Sequence, residues 1–220
     1  MTFDRAAAAS FLASHGRTLD WRRFHADTDG VLAALDGYRN ADGGYGWGLE
    51  PDLRSPASQP AAAMHALEVL AEVGPVTSPR AVELCDWLEV TSVPDGGLPF
   101  ALPVEDAAGS APWWTGADHT TSSLQITAQV VANAHLVAAF DPAVAAHPWL
   151  ARATAWCLDA IGAAGEREMH AYELLFSVRL LDALGDADGI DRLADRLPPE
   201  GLVPVAGGVE GEVLRPLKFA

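Results

Sequence analysis

The chain has 220 residues, half of them hydrophobic, with 30 Asp and Glu against 14 Lys and Arg and a formal net charge of −16. That length supports one domain, residues 1–220, with a sizeable core, and the hydrophobic share excludes a disordered chain. So acidic a surface repels phosphate backbones, which argues against a nucleic-acid partner.

At the N-terminus, MTFDRAAAASFLASHG carries Asp4 early and lacks a basic run before its apolar residues. It reads as an amphipathic helix rather than a secretion signal. No window reaches the ~18 uninterrupted apolar residues of a membrane span, so the expected location is cytoplasmic. Next comes NADGGYGWGLEPD (40–52), where glycines alternate with aromatics and acids follow. Gly43 and Gly44 predict a turn that side chains would block, with Tyr45 and Trp47 folded back as a plug between helices.

The following segments predict helices. In 58–74, Pro60 suits a first turn, Gly74 a stop, and Met64, Leu67, Leu70 and Ala71 share a face. In 78–90, Ser78 is the N-cap, Pro79 opens the first turn, and Val82, Cys85 and Leu88 form the stripe. Segment 121–140 is apolar on nearly every side, as a buried inner helix requires. Leu150, Thr154, Cys157, Leu158 and Ile161 stripe 147–163; Met169, Tyr172, Phe176 and Leu180 stripe 168–185; residues 190–197 make a short helix. No strand alternation persists. The two cysteines, Cys85 and Cys157, fall on apolar helix faces and read as buried free thiols.

Internal echoes organise these helices. NADGGYGW (40–47) recurs as VPDGGLPF (93–100), 53 residues on, and PDGGLPF recurs as PEGLVPV (199–205), offset by 105. MHALEVL (64–70) matches MHAYELL (169–175) at the same offset of 105. These spacings imply one further unit beginning near residue 148. The fold class is therefore all-α, with helix-hairpin repeats of about 53 residues that must stack to bury their apolar faces, as a solenoid or a ring.

Asp42-Gly43-Gly44-Tyr45-Gly46 and Asp95-Gly96-Gly97-Leu98-Pro99-Phe100, with 199–205 as a degenerate third copy, resemble the prenyltransferase and squalene-cyclase repeat family. GGYGWGLEPDLRSPASQP and PWW look more closely like a group of bacterial prenyltransferase-like repeat proteins, whose members are longer. The resemblance implies an α/α toroid; closure in the family takes about six hairpins and this chain has about four units, so the ring is either incomplete or closes differently. It implies a terpene-cyclase-like or prenyl-transfer-like activity on an apolar isoprenoid or lipid-like molecule. No cofactor is implied. An open ring with bare edges would favour a homodimer.

The family's D-x-D-D-T acid motif is absent, and DADGID (186–191) reads as a helix-start turn. The positional analogue is GADHTTSS (116–123), which makes Asp118 the candidate acid and His119 its neighbour. Asp118 is a general acid if burial raises its pKa, and a cap or surface turn if it accepts backbone N–H bonds. Glu50, Asp52 and Arg54 form a second cluster, either an acid/base pair or a structural ion-pair group. Tyr45, Trp47, Trp113 and Trp114 are candidates to line a pocket, cap the core or dock a partner. His65–Glu68 and His170–Glu173 put a base and an acid one turn apart, and His65, His170 and Tyr172 join Arg54 and the aromatics above as the candidate substrate-binding set. Their matched repeat positions make common ancestry, rather than a metal, the simpler explanation. Two further readings stay open: a non-catalytic lipid-binding or protein-interaction module, and an α/α-toroid carbohydrate-active enzyme.

Overall fold

The computed structural model describes residues 3–164, 168–198, 200–206 and 211–215. Within them the chain is all-α apart from one two-residue strand pair. The helices are α1 (Arg5–His15), α2 (Thr18–Phe24), α3 (Thr28–Leu35), α4 (Pro60–Glu72), α5 (Pro79–Thr91), α6 (Pro112–Thr115), α7 (Leu124–Ala138), α8 (Pro142–Ala145), α9 (Pro148–Ala163), α10 (Ala171–Leu184) and α11 (Ala187–Ala194). Strands β1 (Val203–Pro204) and β2 (Val213–Leu214) pair antiparallel. None of these helices is long and apolar enough to cross a membrane.

Helix starts follow local chemistry. Pro60 and Pro79 occupy first turns, where a missing N–H costs nothing, and the Ser78 hydroxyl accepts from the Arg80 N–H. Asp186 caps α11 through the Gly189 N–H, so the DADGID reading holds. Helices α2 and α3 lie where the sequence reading placed no element; Asp27 caps α3 through the Gly30 N–H, and α2 follows Arg17 without a side-chain cap.

The core centres on α7, which packs against α4 on one side and α10 on the other, with α9 behind it. Its residues are buried on most faces, as its all-round apolar sequence predicts. The Asn133 side chain ties it to α4, donating to the Met64 carbonyl at 2.9 Å. Helices α5 and α9 touch each other in a second row behind α4 and α7. Cys85 and Cys157 are buried and free, and burial pushes the Cys85 thiol up to about 12.

One socket occurs twice. At 42–44, Gly43 takes φ +89 and the Asp42 carboxylate accepts from the Gly44 N–H (2.9 Å), the Ser58 hydroxyl (2.8 Å) and Trp87 Nε1 (3.2 Å) of α5. At 95–97, Gly96 takes φ +103 and Asp95 accepts from the Gly97 N–H (3.1 Å) and the Ser122 hydroxyl (2.5 Å), with the Trp156 indole of α9 in the third place. Burial opposes charge on Asp95, but the Ser122, Gly97 and Trp156 bonds hold its carboxyl below the usual range. The backbone matches too: Gln59 N–H to Tyr45 O and Ser123 N–H to Leu98 O are both 2.8 Å. The third copy keeps the turn, since Gly201 sits at φ +63 and its N–H reaches the Pro198 carbonyl, although Pro199 lies outside the described residues.

Some spacings mislead. Residue 148 opens α9, a second-row helix equivalent to α5, rather than a further unit. The MHA echo is out of phase, because Met64 lies inside α4 whereas Met169 precedes α10. The buried face of α10 is Leu174, Leu175, Val178, Leu180 and Leu181; of the expected stripe Leu180 is buried, while Met169, Tyr172 and Phe176 are half-buried. Leu158 leaves the α9 stripe and is 41% exposed.

Both sockets leave no room for a β-carbon at their second glycine. One built on Gly44 meets Ser58 Cβ and Trp87 Cε2 at 2.6 Å, and one on Gly97 meets Ser122 Cβ at 2.5 Å and Trp156 Cε2 at 2.8 Å. Gly44→Ala is expected to cost about 2–3 kcal/mol by urea unfolding. Gly97→Ala should cost less, because Trp156 is only half-buried and can shift. Unchanged midpoints in both variants would contradict the socket.

Candidate functional site

Most of the predicted residues lie in the loops before α4 and α7, while His65 lies in α4 and His170 and Tyr172 lie at the start of α10. The loop before α4 is laced to the loop before α7. Gln59, the α4 N-cap, bonds both the N–H and the carbonyl of Leu102, at 2.9 and 3.3 Å. The Asp52 carbonyl accepts from Ala111 N–H at 2.8 Å, and the Ser110 hydroxyl accepts from Arg54 N–H at 2.9 Å.

The candidate acid is placed wrongly for its task. Asp118 is exposed, and its carboxylate accepts from the Thr120 hydroxyl (2.6 Å), the Thr120 N–H (2.8 Å) and the Thr121 hydroxyl (3.1 Å). Those bonds hold it below the usual carboxylate range, so it stays ionised and closes a surface turn. It does not cap α7 either, because Ser123 does. His119 is exposed beside it.

Glu50, Asp52 and Arg54 do not pair with one another. Asp52 accepts from Trp114 Nε1 at 2.8 Å, and the Trp114 ring is buried and stacked on Phe100 at 4.6 Å. Trp114 therefore caps the core, while Trp113 is exposed. Tyr45 is fully buried as the predicted plug, and burial pushes its phenol up to about 12. Trp47 is no plug. It sits at φ +57 with its ring largely in water, and its Nε1 donates to Asn40 at 2.8 Å.

Glu50 instead joins a chain of charges. His65 Nε2 meets Glu50 at 2.9 Å and its Nδ1 meets Glu68 at 3.1 Å. Glu68 also takes Arg23, which pairs with Glu72 at 2.5 Å and so straps α2 to α4. Burial alone would lower the His65 pKa, but the two carboxylates outweigh it and raise it to about 9. Both ring nitrogens are engaged, so His65 has no free lone pair for general-base work in this arrangement.

His170 plays a different part. It is the α10 N-cap, accepting from the Glu173 N–H at 3.4 Å in a reciprocal capping box. The two H-x-x-E pairs are therefore not equivalent, and among the described residues no group of His, Cys, Asp or Glu is arranged to hold a metal.

His170 also lines a cavity of about 750 Å³ with Met169, Leu174, Leu193, Arg196 and Val203. The end of α9, the start of α10, α11 and β1 enclose its apolar walls. Tyr172 is not in the lining; it packs on Phe176 at 5.9 Å. A second cavity of about 460 Å³ lies beside the Asp95 socket, next to Arg152 and Trp156. Sequence reasoning missed Trp87 and Trp156, whose signal is the faint echo of CDWLE and AWCLD, and it missed Arg196 altogether.

No protein-family model matches this chain, and no curated protein does.

His65 gives a direct test. Its folded pKa is raised, so its contribution to stability is whole below the unfolded value of about 6.5 and fades as pH rises through about 9. An imidazole NMR titration should show its midpoint near that higher value, and the loss of stability between about 6.5 and about 9 should vanish in His65→Gln. A midpoint at or below the free-histidine value would contradict the charge chain.

Proposed function

We infer that the chain is a stretch of α/α toroid acting as a binding module, which holds an apolar isoprenoid- or lipid-like molecule without acid-initiated chemistry. The cavity at the start of α10 carries this reading. Its volume of about 750 Å³ falls within the ~300–1,000 Å³ of small-molecule sites. Its walls are Leu, Met, Val and Ala side chains, with polar groups from His170, Glu168 and Arg196. Such a lining favours an apolar body and leaves a polar end near the mouth.

The candidate acids support the non-catalytic side. Alkene protonation needs a buried carboxyl that keeps its proton, and Asp118 is exposed and held ionised. Glu50 and Asp52 are committed to His65 and Trp114. The recurring Asp-Gly-Gly socket and the two rows of helices support the toroid. Each socket joins the loop before a front-row helix to the second-row helix that follows it.

Displacement of a bound fluorescent naphthalene probe by farnesol would test this. The wild-type chain should bind saturably. Met169→Trp, which fills the cavity from its lining, should weaken binding about tenfold, close to 1.4 kcal/mol. Asp118→Asn should leave binding unchanged. Cyclisation of an isoprenoid by the wild type that is lost in Asp118→Asn would overturn the reading.

A further inference from the structure

Two indoles among the candidate residues stand in water. Trp47 is 59% exposed and Trp113 is 47% exposed. An indole left in solvent forgoes a large burial gain, and such exposure marks an interaction surface. Trp47 also holds a left-handed backbone that a β-carbon disfavours, although glycines stand on both sides of it. Its position is rigid: Nε1 donates to Asn40 at 2.8 Å and its N–H donates to Ser55 O at 2.8 Å. The backbone beside Trp113 is anchored, since its neighbour Trp114 is bonded to Asp52 and stacked on Phe100. Neither indole reaches either cavity.

Arg54 links the two loops. A β-carbon on Gly48 would meet Arg54 Cδ at 3.2 Å, and one on Gly109 would meet its Cγ at 3.1 Å, so its side chain lies across both. Arg22, Arg23, Arg39, Arg80 and Arg152 each have a carboxylate. The Arg54 guanidinium is exposed and has no such partner among the described residues. In a chain with 30 acids, an arginine without one is available to an anion from outside.

We propose that Trp47, Arg54 and Trp113 form a binding surface for an acidic saccharide, with sugar rings stacked on the indoles and a uronic carboxylate on Arg54. A solvent-exposed indole can offer its ring to the flat C–H face of a pyranose, whereas a proline or aliphatic side chain needs a slot. The net charge of −16 repels a long polyanion, so the surface takes a short oligomer or a chain end.

Titration calorimetry with trigalacturonate, its uncharged galactose counterpart and an acidic proline-rich peptide tests this. Trigalacturonate should bind saturably, and the neutral trisaccharide about tenfold more weakly. Trp47→Gly and Trp113→Ala should each weaken binding roughly fivefold, and Arg54→Ala should erase the preference for the acid. Trp47→Gly relieves the left-handed backbone, so its thermal midpoint should stay near the wild type while binding falls. No binding of trigalacturonate, equal binding of the neutral sugar, or binding of the peptide in its place would each overturn the proposal.

Discussion

A carboxylate at the tip of each glycine turn, bonded to an indole from a helix far along the chain, sets the geometry on which the rest depends. The turn needs left-handed backbone at Gly43 and Gly96, and the next glycine must lack a side chain so that serine and indole can close in. Once closed, the socket fixes where α4 and α7 start and how α5 and α9 lie behind them. Asp42 and Asp95 lie at the surface, so each bond is modest in energy. Their value lies in specifying one arrangement among the many that apolar helices could adopt.

From that arrangement follows the division of labour among the candidate residues. Acids that sequence spacing groups together are drawn apart by the folded loops. Glu50 turns toward His65, Asp52 toward Trp114, and Asp118 toward its own threonines. Each is then spent on structure, and two features remain: an apolar cavity at the start of α10, and a pair of indoles around an arginine. An all-helical scaffold can present such sites without chemistry, because fold and function are separable.

Local signals were well legible. Proline and serine helix starts, the glycine turn, the all-apolar α7, the buried thiols and the Asp186 cap all depend on residues within one or two turns. Pairings across distance were not. Asp42 finds Trp87 45 residues on, and Asp95 finds Trp156 61 residues on, because both the loop before α7 and the path from α7 through α8 to α9 are longer than their counterparts at α4 and α5. A fixed repeat period cannot register such partners. The same weakness made the MHA echo persuasive: identical letters fall inside α4 but ahead of α10, so His65 bridges two acids while His170 caps a helix. Among the aromatics of 40–47, one is fully buried and one is in water, a difference set by a single left-handed residue.

If the Asp-Gly-Gly loops are structural clamps, their carboxylates and indoles must be energetically coupled, which a double-mutant cycle measures. Asp42→Ala, Trp87→Phe and their combination would be compared by urea unfolding, alongside Asp95→Ala with Trp156→Phe. Clamping loops should give coupling of about 1 kcal/mol or more in both cycles, with ligand binding at the α10 cavity unchanged in the single variants. Additive losses in both cycles, or a loss of binding that exceeds the loss of stability, would contradict the clamp.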